Sequence, residues 1–430
     1  MSIARRVAAV AALALLAGPV GATAAGADDW SDSQNGLWYY TVPNLGAVHQ
    51  TADGSGITIA VFDSPINPDV AELAGTNLVL DTALGDRVLD NLCPVTSTEP
   101  GAFHGTSMAS LILGTGASSD PKLSTGVRGV APGATVHYYS FVTPTVGTDP
   151  GGEKVLCTPR WAMFDGSMVQ RAIDQGADII SVSADLSGVI TADDVLAAAR
   201  AGVIIVGAAG NGQYRLLGTP ARFNGVVAVG SLGLDLKPSS FNNYGPQLGL
   251  LAPGEQILAA HPDGGWTAHT LASGTSSATP IVAGILALGW SAHPNATANQ
   301  LLQAAARTTG GTTHDLVRDE HTGFGMINAR QLVATDPTQL PDVNPFVTAD
   351  GEPSIDQLAG AIAPTATPTP TPTAEASPAP TTAPTPDDGG LPPWLVPALG
   401  AGLLVVVVGV VVAVLAARRR TPRTDPAGRT

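Results

Sequence analysis

Short apolar runs recur through the middle of the chain, each bounded by glycine, aspartate or asparagine. Four of them lie at 57–62, 179–182, 203–206 and 226–229. Their near-continuous apolar character is typical of strands that are buried on both faces of a parallel sheet. Helical stretches lie between them, for example at 168–175 and 192–201. Strands that alternate with helices predict an α/β fold with a doubly wound, mostly parallel sheet flanked by helices. Its binding site is expected beyond the carboxyl ends of the strands.

A longer apolar segment lies near the start of the chain. Arg5 and Arg6 precede an apolar run at about 7–17, and Ala22-Thr23-Ala24 matches a cleavage site between small residues. This layout predicts a secretory signal peptide at 1–24. The paired arginines also leave the twin-arginine route open, although general export is favoured.

A second long apolar segment, 394–417, contains no charged residue. At about 1.5 Å per residue it is about 36 Å long, which is enough to cross a hydrocarbon core of about 30 Å. Arg418, Arg419 and Arg420 follow it directly, and positive charge stays on the cytoplasmic side. We therefore expect one C-terminal transmembrane helix, a cytoplasmic tail at 418–430, and a single-pass type I protein of the cell membrane whose main domain is extracellular.

Composition separates the globular part from this anchor. Residues 365–388 are mostly proline, threonine, alanine and serine, which favours an extended polyproline II spacer. We therefore assign 341–393 to a Pro/Thr-rich linker. Residues 25–340 are assigned to a globular domain with an N-terminal extension.

Charge and cysteine content narrow the function further. The formal net charge of -15 argues against nucleic acid as a partner, because phosphate binding needs a basic face. Cys93 and Cys157 are the only two cysteines, and an oxidising compartment makes a disulfide between them the default. Closing this loop of about 65 residues would contribute about 4 kcal/mol. Two cysteines cannot form a metal site by themselves.

Four polar residues with catalytic potential stand at predicted strand ends or helix starts. Asp63 follows the run 57–62, His104 precedes a helical stretch, Asn211 follows the run 203–206, and Ser276 precedes a helix predicted at 281–290. Each alone has an ordinary explanation: a turn residue, a structural histidine, a turn asparagine or a helix cap. Together, an acid, an imidazole, an amide and a hydroxyl at converging loops predict nucleophilic catalysis.

The order of these residues, Asp, His, Ser, resembles that of the subtilisin-like serine proteases, or subtilases. The resemblance covers most of 37–337. Further matching blocks are Gly129-Val130-Ala131-Pro132-Gly133, Asn242-Asn243-Tyr244-Gly245, Leu251-Ala252-Pro253-Gly254 and Gly323-Phe324-Gly325-Met326-Ile327-Asn328-Ala329.

The resemblance implies a serine endopeptidase with a polypeptide substrate and with no metal or organic cofactor. Ser276 would be the nucleophile, His104 the general base, and Asp63 the group that orients the imidazole. The Asn211 amide and the Ser276 backbone N–H would form the oxyanion hole. Ser107, in Gly105-Thr106-Ser107-Met108-Ala109, lies in a similar block, but His104 directly precedes it and no proline follows Ser110.

Two stretches are expected to bind substrate, and one loop departs from the family pattern. The resemblance assigns substrate contacts to Ser183, Ala184 and Asp185, and to Ala208, Ala209 and Gly210. An acid at Asp185 would favour basic side chains in the substrate. The family usually has glycine two residues after its aspartate, whereas this chain has Ser64-Pro65. The loop after Asp63 must therefore differ locally, because proline fixes φ and lacks an N–H.

The overall layout resembles the mycosins, the membrane-bound proteases of actinobacterial type VII secretion systems. Between 1–24 and the first predicted strand there is no room for the folded pro-domain of classical secreted relatives, and a Pro-rich linker leads to the anchor at 394–417. The resemblance implies association with a type VII secretion membrane complex. Two alternatives remain open: a scaffolding subunit or pseudoprotease that stabilises such a complex, and a free-standing surface maturation protease.

Overall fold

A computed structural model describes residues 36–82, 93–141, 146–148, 154–156 and 167–362. The predicted signal peptide 1–24, anchor 394–417 and tail 418–430 lie outside the described residues and stay predictions. Among the helices that are described, none has the length and apolar character needed to cross a membrane.

A seven-stranded parallel sheet forms the centre of the described structure. The strands are β1 Thr58–Asp63, β2 Leu78–Leu80, β3 Thr135–Ser140, β4 Val146–Thr148, β5 Lys154–Leu156, β6 Ile179–Val182, β7 Ile204–Ala208, β8 Val227–Leu232, β9 Leu248–Pro253, β10 Ile257–His261 and β11 Ala268–Ala272. The order of strands in the sheet is β2-β3-β1-β6-β7-β8-β9. Two pairs of short antiparallel strands, β4 with β5 and β10 with β11, lie outside this sheet. The doubly wound, mostly parallel sheet is confirmed, and the four predicted strands correspond to β1, β6, β7 and β8.

Helices cover both faces of the sheet. They are α1 Trp38–Thr41, α2 Leu45–Val48, α3 Phe103–Leu113, α4 Met168–Asp174, α5 Ala192–Ala201, α6 Asp263–Trp266, α7 Thr275–Ala292, α8 Ala298–Arg307, α9 Ala329–Ala334 and α10 Ile355–Ile362. Strand β1 shows why its run is apolar throughout. Ile59 and Val61 face a core shared with α3 and α7, whereas Ala60 and Phe62 face a second core shared with α4 and α5.

The segment before β1 is part of the fold. Trp38 and Tyr39 are almost completely buried in the larger core. The Trp38 indole N–H donates to the backbone carbonyl of Glu255 at 2.9 Å, and the Tyr39 hydroxyl donates to that of Arg128 at 2.7 Å. Burial of these two aromatic side chains attaches the N-terminal extension firmly to the domain.

The compact domain extends further towards the C-terminus than the composition indicated. Residues 341–362, which the sequence assigned to the linker, pack on the domain and end in α10. Phe346 is 2 % exposed and Leu358 is 3 % exposed. Asn224 donates to the carbonyl of Thr348 at 2.9 Å and accepts from its N–H at 2.8 Å. The buried apolar side chains and the paired backbone groups show that 341–362 belong to the domain. The rest of the predicted linker, 363–393, lies outside the described residues.

Cys93 is buried, 1 % exposed. Cys157 lies outside the described residues, so the pairing of Cys93 with Cys157 stays a prediction.

Candidate active site

Asp63 and His104 meet at the carboxyl end of β1. Asp63 is the last residue of β1 and is 1 % exposed, and His104 is the second residue of α3. Its Nδ1 lies 2.7 Å from Asp63 Oδ1, and the backbone N–H of Ser64 donates to the same oxygen at 2.7 Å. The carboxylate thus fixes the imidazole ring and leaves Nε2 as the nitrogen that can serve as a base.

The charge of Asp63 has the largest effect on the pKa of His104. It raises the pKa of His104 above 6.5, with help from the hydrogen bond, while partial burial acts in the opposite direction. The His104 side chain is still 40 % exposed. An imidazole that is held by a buried carboxylate and open on its other side is suited to exchange protons with a substrate.

Ser276 lies in the first turn of α7, where backbone N–H groups have no partner within the helix. The helix begins at Thr275, six residues before the predicted start at 281, and contains Pro280. Because proline has no N–H, the carbonyl of Ser276 lacks its usual helical donor. The Ser183 hydroxyl donates to that carbonyl at 3.0 Å instead. The end of β6 therefore helps to position Ser276.

The Asn211 side chain lies beside Ser276. Its Oδ1 accepts from the N–H of Thr275 at 2.9 Å and from the Thr275 hydroxyl at 3.0 Å, which turns Nδ2 away from Thr275. A side-chain carbon at Gly274 would lie 2.9 Å from Ser276 Oγ and 3.3 Å from Asn211 Nδ2. The hydroxyl and the amide thus flank one small space, which a glycine at 274 keeps open.

Comparison with known proteins identifies the family. The family model of the subtilases matches residues 54–325. The chain belongs to the subtilase family, whose members are serine endopeptidases. A halolysin-like extracellular serine protease of Natrialba magadii is 31 % identical over 300 residues, covering 68 % of this chain and 50 % of the relative. The chain thus spans half the length of that relative.

Solved subtilase structures share the fold. The prenylagaramide maturation protease PagA matches with a TM-score of 0.51 and 25 % identity, over 68 % of this chain and 98 % of PagA. The MycP3 protease from the type VII (ESX-3) secretion system matches with a TM-score of 0.50 and 23 % identity, over 69 % of this chain and 88 % of MycP3.

Within this subtilase, Ser107 is not an alternative nucleophile. It lies in the second turn of α3, is 2 % exposed, and donates its hydroxyl to the carbonyl of Phe103 at 2.8 Å. A buried hydroxyl that is already bonded to its own helix cannot reach a substrate.

The stretches expected to bind substrate lie at the carboxyl ends of β6 and β7, which are neighbours in the sheet. Ser183 is buried, Ala184 is half-buried and Asp185 is exposed. Ala208 ends β7, and Gly210 is partly accessible. Ala209 is fully buried, and its N–H donates to the carbonyl of Val229 at 2.9 Å. Ala209 therefore offers a substrate neither side-chain surface nor a free N–H.

The structure adds a role for Asn243 that the sequence did not assign. Its Oδ1 accepts from the N–H groups of Gly212 at 2.8 Å and Tyr214 at 3.1 Å, and its own N–H donates to the carbonyl of Gly210 at 2.8 Å. Asn243 thus holds the loop that carries Asn211. Its place in the block Asn242-Asn243-Tyr244-Gly245 was the only signal in the sequence.

No group of three or more His, Cys, Asp or Glu residues suited to a metal ion is found in the part of the chain that the structure describes. The structure joins the His104 imidazole to the Asp63 carboxylate, and it sets the Ser276 hydroxyl and the Asn211 amide on either side of Gly274. These residue types are the groups that nucleophilic acyl transfer uses.

Proposed function

We propose that this chain is a serine endopeptidase that hydrolyses polypeptides with Ser276 as nucleophile. The observation that carries the proposal is the 2.7 Å contact between His104 and the buried Asp63 carboxylate, in a subtilase whose Ser276 and Asn211 flank one open space.

The mechanism follows from these groups. A serine hydroxyl is a weak nucleophile, so His104 takes its proton as Ser276 attacks the carbonyl carbon of the scissile bond. The charge of Asp63 stabilises the imidazolium that forms. The Asn211 amide and the Ser276 N–H donate to the oxyanion, and His104 then returns the proton to the leaving amine. Water attacks the acyl-enzyme by the same route and frees Ser276.

A fluorophosphonate probe tests the nucleophile directly, because it labels only an activated serine. We expect the full-length chain in detergent to be labelled and the Ser276→Ala variant not to be. Ser107→Ala is the matched control, since it removes a hydroxyl from the similar sequence block, and it should be labelled like the wild type. A folded wild-type chain that never reacts would refute the proposal.

We also propose that Asp185 favours basic residues in the substrate. Its Oδ1 accepts from Ser187 N–H at 3.0 Å, Ser187 Oγ at 2.7 Å and Thr219 N–H at 3.2 Å, which fixes the carboxylate. The side chain is exposed and follows Ser183, which contacts the backbone of Ser276. Peptides with arginine near the scissile bond should be cleaved faster by the wild type than matched alanine peptides. Asp185→Asn should remove the difference, and equal rates in the wild type would refute this preference.

The cellular setting that we propose is that of a mycosin: a membrane-anchored protease on the outer face of the cell membrane, associated with a type VII secretion complex. The apolar segment 394–417 with its following arginines, and the Pro-rich linker, support this proposal. The likeness to MycP3 supports the fold alone. Deletion of the protein should abolish assembly or activity of its secretion complex. If Ser276→Ala restores assembly, the protein has a scaffolding duty in addition to catalysis. If secretion is normal after deletion, the chain is a free-standing surface protease instead.

A further inference from the structure

A buried tyrosine outside the predicted catalytic set reaches the turn that follows Asp63. Tyr138 lies on β3 opposite Val61 of β1, and its side chain is fully buried. Its hydroxyl donates to the backbone carbonyl of Ser64 at 2.5 Å. Tyr138 and Ser64 are 74 positions apart, so this bond links β3 to the turn after β1 at the edge of the site.

Ser64 connects both members of the Asp63–His104 pair. Its N–H donates to Asp63 Oδ1 at 2.7 Å, and its hydroxyl accepts from the N–H of Gly105 at 3.0 Å. Gly105 directly follows His104 in α3. Ser64 therefore holds the Asp63 carboxylate through its backbone N–H, and it holds the start of α3, which carries His104, through its hydroxyl. We call the bonded residues Tyr138 and Ser64 the Tyr138–Ser64 clamp.

The packing at Gly105 shows how closely α3 approaches this clamp. A side-chain carbon at position 105 would collide with the Tyr138 hydroxyl, and would lie 2.7 Å and 2.8 Å from the carbonyl oxygens of Ser64 and Pro65. Only glycine fits there, because backbone oxygens and a buried hydroxyl cannot move aside at low cost. The helix that carries His104 thus rests directly on the clamp.

Tyr138 keeps its proton under all conditions in which the enzyme would work. Burial chiefly, and the nearby charge of Asp63 in addition, raise its pKa well above the ordinary tyrosine value. The hydroxyl is therefore a permanent donor. The neighbouring strand β3 thus supplies a donor for the Ser64 carbonyl.

We propose that Tyr138 is a positioning residue for catalysis: acting through Ser64, it sets the geometry of the Asp63–His104 pair. This inference rests on the proposed peptidase function.

Tyr138→Phe tests the clamp, because it removes only the hydroxyl. We expect kcat/KM to fall about tenfold, mostly in kcat, as the carbonyl of Ser64 loses its donor and the pair loosens. The acid limb of the pH profile should move to lower pH, because a looser contact with Asp63 raises the pKa of His104 less.

The matched control is Tyr139→Phe. Tyr139 is the next residue, is also buried, and donates its hydroxyl to the Gln175 side chain in the opposite core. This control should keep the wild-type kcat and pH profile.

A merely structural role would lower the stability of both variants and leave the pH limb in place. Wild-type kcat and an unmoved pH limb in folded Tyr138→Phe would overturn the inference. If that variant does not fold, Ser64→Ala is the second test, because it removes the hydrogen bond from the Gly105 N–H to the Ser64 hydroxyl. It must produce the same fall in kcat/KM and the same shift of the acid limb.

A titration that does not require activity separates this inference from the proposed function. The ring of His104 can be followed by NMR in full-length protein labelled with ¹³C-histidine, assigned with His104→Gln. A lower His104 pKa in Tyr138→Phe than in wild type supports the clamp even if the wild type proves inactive. An unchanged His104 pKa refutes it even if the wild type is an active peptidase.

Discussion

The Asn211 amide offers the sharpest test of how the site would stabilise a transition state. We consider Asn211→Asp, because aspartate retains Oδ1 and replaces only the Nδ2 donor. The two hydrogen bonds from Thr275, at 2.9 Å and 3.0 Å, can persist in this variant. The new oxygen would repel the oxyanion where the amide would donate to it.

We expect Asn211→Asp to lose activity through a lower kcat. Removing one oxyanion donor costs about 10²–10³ in kcat in subtilisin, a relative from which we take the magnitude, and this corresponds to about 2.7–4 kcal/mol. KM should change little, because the donor acts on a charge that exists only in the transition state. Stability should stay within about 1 kcal/mol of the wild type, since the acceptor bonds remain.

Hydrolysis of a chromogenic peptide, normalised to the concentration of sites that react with a fluorophosphonate, measures this kcat. Asn211→Ala is the companion variant. It should lose activity similarly and also about 1–3 kcal/mol of stability in urea, because the buried N–H of Thr275 loses its acceptor. Asn224→Ala removes an asparagine that binds Thr348 away from the site, and should lower stability alone. A kcat of Asn211→Asp within about threefold of wild type would refute the oxyanion role.

Three further predictions follow from named contacts. Because Asp63 raises the pKa of His104, kcat/KM should increase with pH through a midpoint above 6.5, and Asp63→Asn should move that midpoint lower; a midpoint that does not move contradicts this cause. Trp38→Ala should cost about 3–5 kcal/mol in urea unfolding, since this indole is 1 % exposed, and no loss would mean that the N-terminal extension is not part of the core. Phe346→Ala should cost a similar amount, about 3–5 kcal/mol, whereas a flexible linker at 341–362 would give no change.

The sequence determined much of the framework by local pattern. Buried strands need uniformly apolar runs, so β1, β6, β7 and β8 could be located within a few residues. Parallel strands place their carboxyl ends at one edge of a sheet, which is why Asp63 and the loop with Asn211 could be expected near each other. The order of the motif residues then indicated the family.

The start of helix α7 and the end of the domain depend on contacts that are not visible in the local sequence pattern. Helix α7 begins before Pro280, and the hydroxyl of Ser183, directly after β6, replaces the missing helical donor to the Ser276 carbonyl. The sequence assigned 341–362 to the linker, yet the Phe346 ring packs against Phe324, and Leu358 is buried in the core shared with α4 and α5. The local sequence cannot reveal such burial, because the surface that covers these side chains is formed by other parts of the chain.

The positioning of the site was likewise decided by the tertiary structure. The sequence shows that an aspartate and a histidine are present, but their 2.7 Å contact requires β1 and α3 to be held in register. Tyr138 bonds the turn after β1 from β3, and Asn243 holds the loop that carries Asn211. No local pattern assigned either role, although Asn243 stands in a block that matches the family. Catalytic residue types are visible in a sequence because chemistry restricts them to a few choices. The side chains that position them are not, because any element brought close by the fold can supply the needed donor or acceptor.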